Sequence, residues 1–571
     1  MRFMPASDSA LLVELDNLGQ AMALYRQLRQ HPIHGVSELV PAARTVLVQY
    51  RPSAITPTEL LTALRERGAA AEERQNDLTE PGRLVEIPVH YNGEDLPEVA
   101  ELLGITVSEV IARHTERPYL AAFAGFAPGF VYLAGGHPSF QLPRRTSPRT
   151  KVPAGSVAVA GDFSAVYPSD SPGGWQLLGV TDIPMWDLSR PEPAYIQPGF
   201  RVQFRNADTV SVPVSMPAAL AGGTETQLVN ADSLAGGTDP QSVKAGSLAA
   251  EVRADADEPS APIQSGAQLE ILQSGIQTLF QDTGRVGMAG LGVSPSGALD
   301  LPSMRQANRL VGNPSDTPVL ENVLGGLQLR SFGRTVIAVT GADVPLTLRD
   351  AEGRALPQAS HQAIALDDGD VLILGNPARG VRTYIAVRGG WQVEPVLGSC
   401  ATDTLARIGP PALQAGMRFE VGTAVPRESL RAVELAEPDI KLPLPAAGEL
   451  VTLDVIMGPR DDWFTEDALQ RFAQQEWVVT PQSNRIGMRL ESDVPLTRIR
   501  NDELPSEGTV SGAIQVPISG QPVLFLADHP LTGGYPVIAG VAGHHLALAA
   551  QIPIGCRIRF NVIAPPISAQ A

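Results

Sequence analysis

Three copies of one short pattern run through this chain. Gly173-Gly174-Trp175, Gly389-Gly390-Trp391 and Gly533-Gly534-Tyr535 are followed, 24, 25 and 20 residues after the aromatic, by Gly199-Phe200-Arg201-Val202, Gly416-Met417-Arg418-Phe419 and Gly555-Cys556-Arg557-Ile558. A Gly-Gly-aromatic element answered in order three times by Gly-x-Arg-apolar is an internal repeat, and it points to three related β lobes on one chain. Paired glycines before a ring let the backbone come close to a neighbour or ligand while the ring caps the contact. Each copy therefore marks a barrel corner or a pocket wall. The first and third copies also share an upstream stretch, Gly155-Ser156-Val157-Ala158-Val159 against Gly512-Ala513-Ile514-Gln515-Val516.

With 54 glycines and 50 prolines, the chain favours turn-dense β structure over long helices. Its 571 residues allow three to five domains at roughly 150 residues each. Residues 1–82 mix both periods, with helices expected at 17–29 and 57–67, the second opened by Thr56 as N-cap and Pro57. This region reads as a ferredoxin-like α+β cap. Residues 83–215 alternate strand signals with Gly/Pro turns after one helix at 107–115 and read as a β-barrel. Residues 216–262 lack aromatics and are rich in Ala, Gly, Ser and Asp, a flexible acidic linker by composition. Dense alternation then resumes in two further β lobes, 263–430 and 431–571, with one helix expected at 461–475. The fold class expected is mainly β with α+β parts.

A net charge of −18 argues against nucleic-acid or anionic-membrane partners. No stretch has the 18 or so apolar residues a membrane helix needs. Two cysteines, Cys400 and Cys556, cannot build a disulfide framework, and the amino terminus lacks a basic leader, so the expected location is the cytoplasm. The lysines are Lys151, Lys244 and Lys441. None follows a phosphate-loop pattern or lies between methionines, so neither a P-loop nor an attached biotin is expected. His31 and His34 have no third ligand, no H-E-x-x-H occurs, and no resident metal site is expected. No G-x-S-x-G elbow is present.

Candidate chemistry gathers in a few places. The turn Leu142-Pro143-Arg144-Arg145-Thr146-Ser147-Pro148-Arg149 near the aromatic loop Phe126-Ala127-Pro128-Gly129-Phe130 offers stiffened arginines, Arg144 and Arg149, whose planar forks suit a carboxylate or phosphate. His114, at a helix end, is a candidate acid or base or a structural histidine. Gln281-Asp282-Thr283-Gly284-Arg285 precedes a glycine-rich stretch (287–292) and then Asp300, a grouping able to cradle an oxyanion while carboxylates hold water or magnesium. Asn308 and Glu321 lie on or beside a short predicted helix (303–311). Asp528-His529 before Thr532-Gly533-Gly534-Tyr535 is the densest polar cluster beside a repeat element.

The long strings at 114–179 and 271–300, with the closing GAIQVPISGQPVLFLADHPLTGGYPVIA, resemble the B and C subunits of bacterial ATP-dependent 5-oxoprolinase, fused through the linker. The same modules are similar to the carboxyltransferase part of urea amidolyase, labelled allophanate hydrolase subunits 1 and 2, and to an inhibitor/anti-inhibitor pair acting on a sporulation histidine kinase. The resemblance implies a ferredoxin-like cap with three cyclophilin-like β-barrel lobes. It implies ring-opening of 5-oxo-L-proline to L-glutamate with ATP, accompanied by magnesium, as co-substrate, and a separate barrel-type A subunit. The catalytic candidates it supports are His114, Asp282, Asp300 and Asp528. The candidates for binding the substrate carboxylate or phosphoryl group are Arg144, Arg149, Gly155, Ser156, Gly173, Gly174, Trp175, Gln281, Arg285, Asn308, Glu321, Gln515, Thr532, Gly533, Gly534 and Tyr535. The alternatives are a carboxyltransferase-type component of urea degradation and a non-catalytic kinase regulator. Two departures from the family pattern stand out, Gly179-Val180-Thr181 and Pro410-Pro411-Ala412-Leu413-Gln414-Ala415-Gly416-Met417. Exposed lobe edges leave a homo-oligomer open.

Overall fold

The run Ala10-Leu11-Leu12-Val13 is too continuously apolar for a strand with one wet face, and the computed structural model shows both of its faces covered. The structure describes residues 1–73, 82–145, 147–209, 266–423, 425, 444–500 and 502–565. The expected linker at 216–262 and the lobe boundary at 430/431 lie outside these residues.

Strands Arg2–Ser7, Ala10–Glu14, Val36–Pro41 and Thr45–Tyr50 form an antiparallel sheet in the order first, second, fourth, third. Helices α1 (Leu18–Gln30) and α2 (Pro57–Glu73) cover one face, where Leu11 and Val13 meet Leu24, Leu28, Leu60 and Leu64. Ala10 and Leu12 point the other way, into a shared core with Val510, Ala513 and Phe525 of the last lobe. Each fully buried leucine contributes roughly 1.5–3 kcal/mol, so this sheet ties the cap to the far end of the chain. Both helices start on caps. Asn17 Oδ1 accepts the Gln20 N–H at 3.0 Å, and Thr56 and Glu59 exchange hydrogen bonds as a capping box. The arrangement is the two-layer one of a ferredoxin-like cap, with the edge strand supplied from the amino terminus.

The first lobe is one seven-stranded sheet whose ends are Leu84–Val89 and Gln176–Val180. A pair of 2.9 Å backbone hydrogen bonds between His90 and Val180 joins those ends. The last lobe is a closed seven-stranded barrel. Both lobes pair their opening and final strands in parallel, Leu84–Val89 with Arg201–Asn206 and Leu450–Met457 with Arg557–Val562. The middle lobe differs in form: its strands lie in a six-stranded and a five-stranded sheet packed face to face, and its first and last strands run antiparallel.

The repeat now has a physical meaning. Gly199, Gly416 and Gly555 have φ of +94°, +89° and +83°, so each supplies a left-handed turn that a side chain resists, and Arg201, Arg418 or Arg557 then begins the closing strand. The helix at Val107–Thr115 matches its expected span. The helix expected at 461–475 is broken by Phe464 in an extended conformation, leaving a 3-10 turn Asp461–Trp463 and a helix Glu466–Gln474 capped by Thr465. Helices Leu96–Leu103 and Gly543–Ala550 were not anticipated. Among the described residues no helix is long and apolar enough to cross a membrane.

Candidate functional site

The sequence candidates separate into two places. One is a buried ionic network between the middle and last lobes. The other is the seam where the first lobe packs against the last.

The network is centred on Arg485, which the sequence reading did not single out. Its Nε and Nη2 bind Asp528 at 3.0 and 2.9 Å, its Nη1 binds Glu321, and its Nη2 also donates to the Gly297 carbonyl at 2.7 Å. Glu321 accepts the Tyr384 hydroxyl at 2.8 Å and the Leu299 N–H at 3.1 Å. Asp528 further accepts Ser296 Oγ and both the N–H and hydroxyl of Thr404. Burial pushes the Asp528 carboxyl up, but the charge and hydrogen bonds of Arg485, with Ser296 and Thr404, hold it below the usual carboxylate range. Asp282 accepts Ser399 Oγ and the Cys400 and Gly284 N–H groups. Asp300 caps the helix Leu301–Val311 through the Ser303 N–H and takes the Gln551 amide at 2.8 Å.

These geometries correct the sequence expectation for the three aspartates. Each is buried and its oxygens are held by protein donors, so the cluster does not fit a magnesium or water-orienting role. Gln281, Asn308 and Arg285 belong to the same scaffold: Gln281 Nε2 donates to the Thr402 carbonyl, Asn308 Nδ2 to the Thr317 carbonyl and Arg285 Nη2 to the Ala401 carbonyl.

Asp403, beside this network, has its carboxyl pushed up to about 6 by burial and then by the charge of Asp528. A raised carboxylate pKa means that its contribution to stability is complete below the unfolded value near 4 and is lost as pH rises through about 6. Asp403→Asn is therefore expected to remove about 2–3 kcal/mol of stability loss between pH 4 and pH 7 relative to the parent chain. Urea unfolding across that pH range checks it; parallel curves for the two proteins would refute the assignment.

His114 is likewise withdrawn from acid–base duty. It is fully buried, stacked on Phe204 at 4.5 Å, with Nδ1 2.7 Å from the Tyr91 hydroxyl and Nε2 3.0 Å from Ser164 Oγ. Burial pushes its pKa down to about 3, so it stays neutral. His114→Phe is expected to cost about 1–3 kcal/mol by taking a hydrogen-bond partner from the Tyr91 hydroxyl and from Ser164 Oγ, which keeps the Ala158 carbonyl, read as a lowered thermal midpoint with an unchanged pH dependence of turnover.

The seam between the first and last lobes brings together the first and third repeat elements. Arg145 N–H donates to the Gly174 carbonyl at 2.7 Å, which sets the arginine turn against the first Gly-Gly-Trp. Trp175 packs on Phe130 and Tyr132, and Gly173 leaves room for the Tyr167 hydroxyl, which a Cβ there would meet at 2.3 Å. Across the cleft, a Cβ on Gly534 would lie 3.2 Å from Arg144 Nη1. Thr532 Oγ1 accepts the N–H of Phe126, a non-glycine residue at φ +66°. Such backbone strain persists only where the surroundings enforce it. Gln515 Nε2 donates to the Tyr535 carbonyl at 2.9 Å, and a Cβ on Gly533 would collide with that amide at 2.6 Å. Tyr535 is 39% exposed.

Arg144 is the arginine left for a ligand. Its partner is the exposed Glu503 at 3.7 Å. Arg149 and Arg145 instead converge on the buried Asp95 at 2.7 and 2.6 Å, and Asp95 also accepts the Leu177 N–H. The structure therefore corrects Arg149 to a lobe-internal ion pair. Gly155, at φ +80°, sits against the Thr181 carbonyl, and Ser156 is buried at the head of the strand Ser156–Ala160. Arg498, also absent from the sequence candidates, lies with its guanidinium 5.7 Å from the Tyr535 ring centroid, and its buried Nε has no hydrogen-bond partner. Two arginines, a strained loop and a half-exposed tyrosine around close backbone form a geometry suited to a small anion.

The family models divide the chain along the same seam. "Carboxyltransferase domain, subdomain C and D" matches residues 1–196, and "Carboxyltransferase domain, subdomain A and B" matches residues 291–562. The chain is 36% identical over 298 residues to the C subunit of 5-oxoprolinase from Escherichia coli (strain K12), covering 51% of this chain and 90% of that protein. It is 34% identical over 215 residues to the B subunit of 5-oxoprolinase from Bacillus subtilis (strain 168), covering 34% of this chain and 89% of that protein. The chain belongs to the family of 5-oxoprolinase B and C subunits, with the two fused. Urea amidolyase of Saccharomyces cerevisiae is also similar, 31% identical over 51% of this chain but only 16% of its own length. The crystal structure of TTHA0988 superposes with a TM-score of 0.74 at 33% identity, over 97% of this chain and 99% of that one. The fused B and C arrangement of lobes is thus matched along almost the whole chain by a solved structure.

Proposed function

We propose that this chain is the fused B and C component of a 5-oxoprolinase, opening 5-oxo-L-proline to L-glutamate with ATP hydrolysis and completed by a separate A subunit. The observation that carries the reading is the cleft in which a first-lobe arginine, Arg144, faces the last-lobe Gly-Gly-Tyr turn, since it joins the B-like and C-like parts in one site. The lactam amide is a poor electrophile. In the proposed reaction its oxygen takes the γ-phosphoryl group from ATP, releasing ADP. Water then adds to the activated carbon and the C–N bond breaks, freeing the amine of glutamate and leaving an acyl phosphate, which a second water cleaves to give the side-chain carboxylate and phosphate. Arg144 and Arg498 hold the substrate carboxylate or the transferred phosphoryl group, neutralising charge in a partly dry cleft. Magnesium would arrive with ATP as part of the substrate, since Asp282, Asp300 and Asp528 are held by protein donors.

The test is 5-oxoproline-dependent ATP hydrolysis and glutamate formation by the purified chain with and without a cognate A subunit. Glutamate formed only with both is the expected result; a folded complex of the two proteins without turnover would overturn it. The carboxyltransferase description of both matching family models supports a second reading, a carboxyl-transfer component of urea degradation. That reading requires a biotin supplied by another chain, and it predicts carboxyl exchange between free biotin derivatives and urea with no effect of 5-oxoproline.

A further inference from the structure

A cleft of about 480 Å³ opens between α1, the strand Val36–Pro41 and the glycine-rich turn at residues 287–291, with Gln197 and Pro198 of the first lobe on one side. Its volume is that of a small-molecule site. Of the candidate stretches drawn from the sequence, only the glycine-rich segment 287–292 contributes to its lining. Three separate stretches of chain build it, and most of its wall is apolar, from Leu28, Ile33, Val36, Met288 and Leu291.

The charged groups are few and stand at opposite depths. Glu38 is 8% exposed and forms part of the floor, where its Oε2 accepts the Gly287 N–H at 2.5 Å. Burial pushes this carboxyl up, and the N–H groups of Gly287, Leu39 and Ala289 pull it back. A carboxylate offers about four acceptor positions; these three N–H groups leave Glu38 one for a donor arriving from the cleft, and the charge of Arg29 also acts on it. Arg29 is exposed at the rim, lying over the Tyr25 ring at 5.9 Å with Nη1 3.4 Å from the Tyr25 hydroxyl. Gly290 keeps the opposite wall low: a Cβ there would sit 3.8 Å from both Arg29 Nη1 and the Tyr25 hydroxyl. The guanidinium is therefore tethered by one neutral contact and leaves most of its five donors to an incoming anion.

We infer that this cleft is a second ligand site, distinct from the Arg144 cleft, for a compact carboxylic acid that carries an N–H donor, the class of amino and imino acids. The ligand enters donor first, with its N–H on Glu38, its apolar body on the leucine and isoleucine wall, and its carboxylate at the mouth on Arg29 and the Tyr25 hydroxyl. A ligand with both groups satisfies the buried acid and the rim cation together. A hydrocarbon satisfies neither, and a simple anion leaves Glu38 facing an apolar body. The inference does not depend on the oxoprolinase reading, since an amino-acid site serves equally as an effector site of another enzyme.

Isothermal titration of the full chain with 5-oxo-L-proline, L-glutamate and L-proline, and with 2-pyrrolidinone as the analogue lacking a carboxylate, tests it. At least one of the three acids is expected to bind and 2-pyrrolidinone is not. Arg29→Ala, a change at an exposed position, is expected to weaken the binding acid about tenfold, and Glu38→Gln, which keeps an acceptor for Gly287, is expected to weaken it as well. Which acid binds separates a lactam from an open-chain source. Absence of binding by all three acids at about millimolar concentration, or an affinity equal to that of the parent chain in Arg29→Ala and Glu38→Gln, would each overturn the site. Because catalysis is not the readout, an inactive chain that binds still supports the site, and an active chain whose affinity ignores Arg29 and Glu38 does not.

Discussion

Replacing Arg485 by methionine is expected to cost the folded chain about 3–5 kcal/mol, the penalty for leaving the buried Asp528 without its counter-ion and Glu321 with only Arg382 at 3.6 Å. The side chain is 1% exposed, and its two ion-pair partners, Glu321 and Asp528, are 1% and 0% exposed. Glu321 comes from the five-stranded sheet of the middle lobe and Asp528 from the loop before the last Gly-Gly-aromatic element, so the loss is felt across the junction of two lobes. Urea denaturation at neutral pH measures it. The double variant Arg485→Met/Asp528→Asn should recover part of the loss, because the stranded charge is removed together with its partner. A single variant as stable as the parent would show that water reaches the network. By the same argument Asp528→Ala is expected to lower the yield of folded protein, since Arg485 is left buried with one partner fewer; a folded, fully stable Asp528→Ala chain would contradict the scaffold role.

The fold was legible where a local rule has few exceptions. The positive-φ glycines at 199, 416 and 555 leave a sequence trace because other residues resist that backbone, and the repeat made from them located the closing strand of each lobe. Thr56 announced its helix because a cap is a short-range interaction, whereas Asn17, read as the first residue of its helix, is the cap before it. The helix Gly543–Ala550 was invisible because its short sequence GHHLALAA carries no clear amphipathic period. The middle lobe's division into two sheets depends on how its long strands pair, which side-chain alternation does not encode. In the candidate site, residue types were legible and duties were not. Asp282, Asp300 and Asp528 look in sequence like carboxylates free for chemistry. Their partners come from up to 251 residues away, and only those partners reveal that the three acids are occupied. Arg485 was missed for the matching reason: an arginine between Asn484 and Ile486 has no local signature, and its importance lies wholly in whom it meets.

Arg144→Ala is expected to lower kcat/KM for 5-oxoproline about a hundredfold in the complete complex, roughly 2.7 kcal/mol of transition-state stabilisation, while leaving the thermal midpoint in place. The two halves of that expectation follow from one geometry. The contact of Arg144 with Glu503 is 3.7 Å long and Glu503 is 62% exposed, a surface pair of the kind that adds little to stability. Its Nη1 nevertheless faces Gly534, where the absence of a side chain leaves the guanidinium open beside Tyr535. Arg144→Lys should restore only part of the rate, because a single ammonium cannot reproduce a two-pronged grip on a carboxylate or phosphoryl group. Gly534→Ala should mimic the arginine loss by crowding the same space from the opposite wall. Arg149→Ala supplies the contrast: it strips a partner from the buried Asp95, so its principal effect is on the thermal midpoint. Steady-state kinetics and thermal unfolding of the four variants side by side would separate the two arginines. If Arg144→Ala kept full kcat/KM, the anion would have to bind outside the cleft between the first and last lobes; if it unfolded the chain, the exposed pair with Glu503 would be a structural element after all.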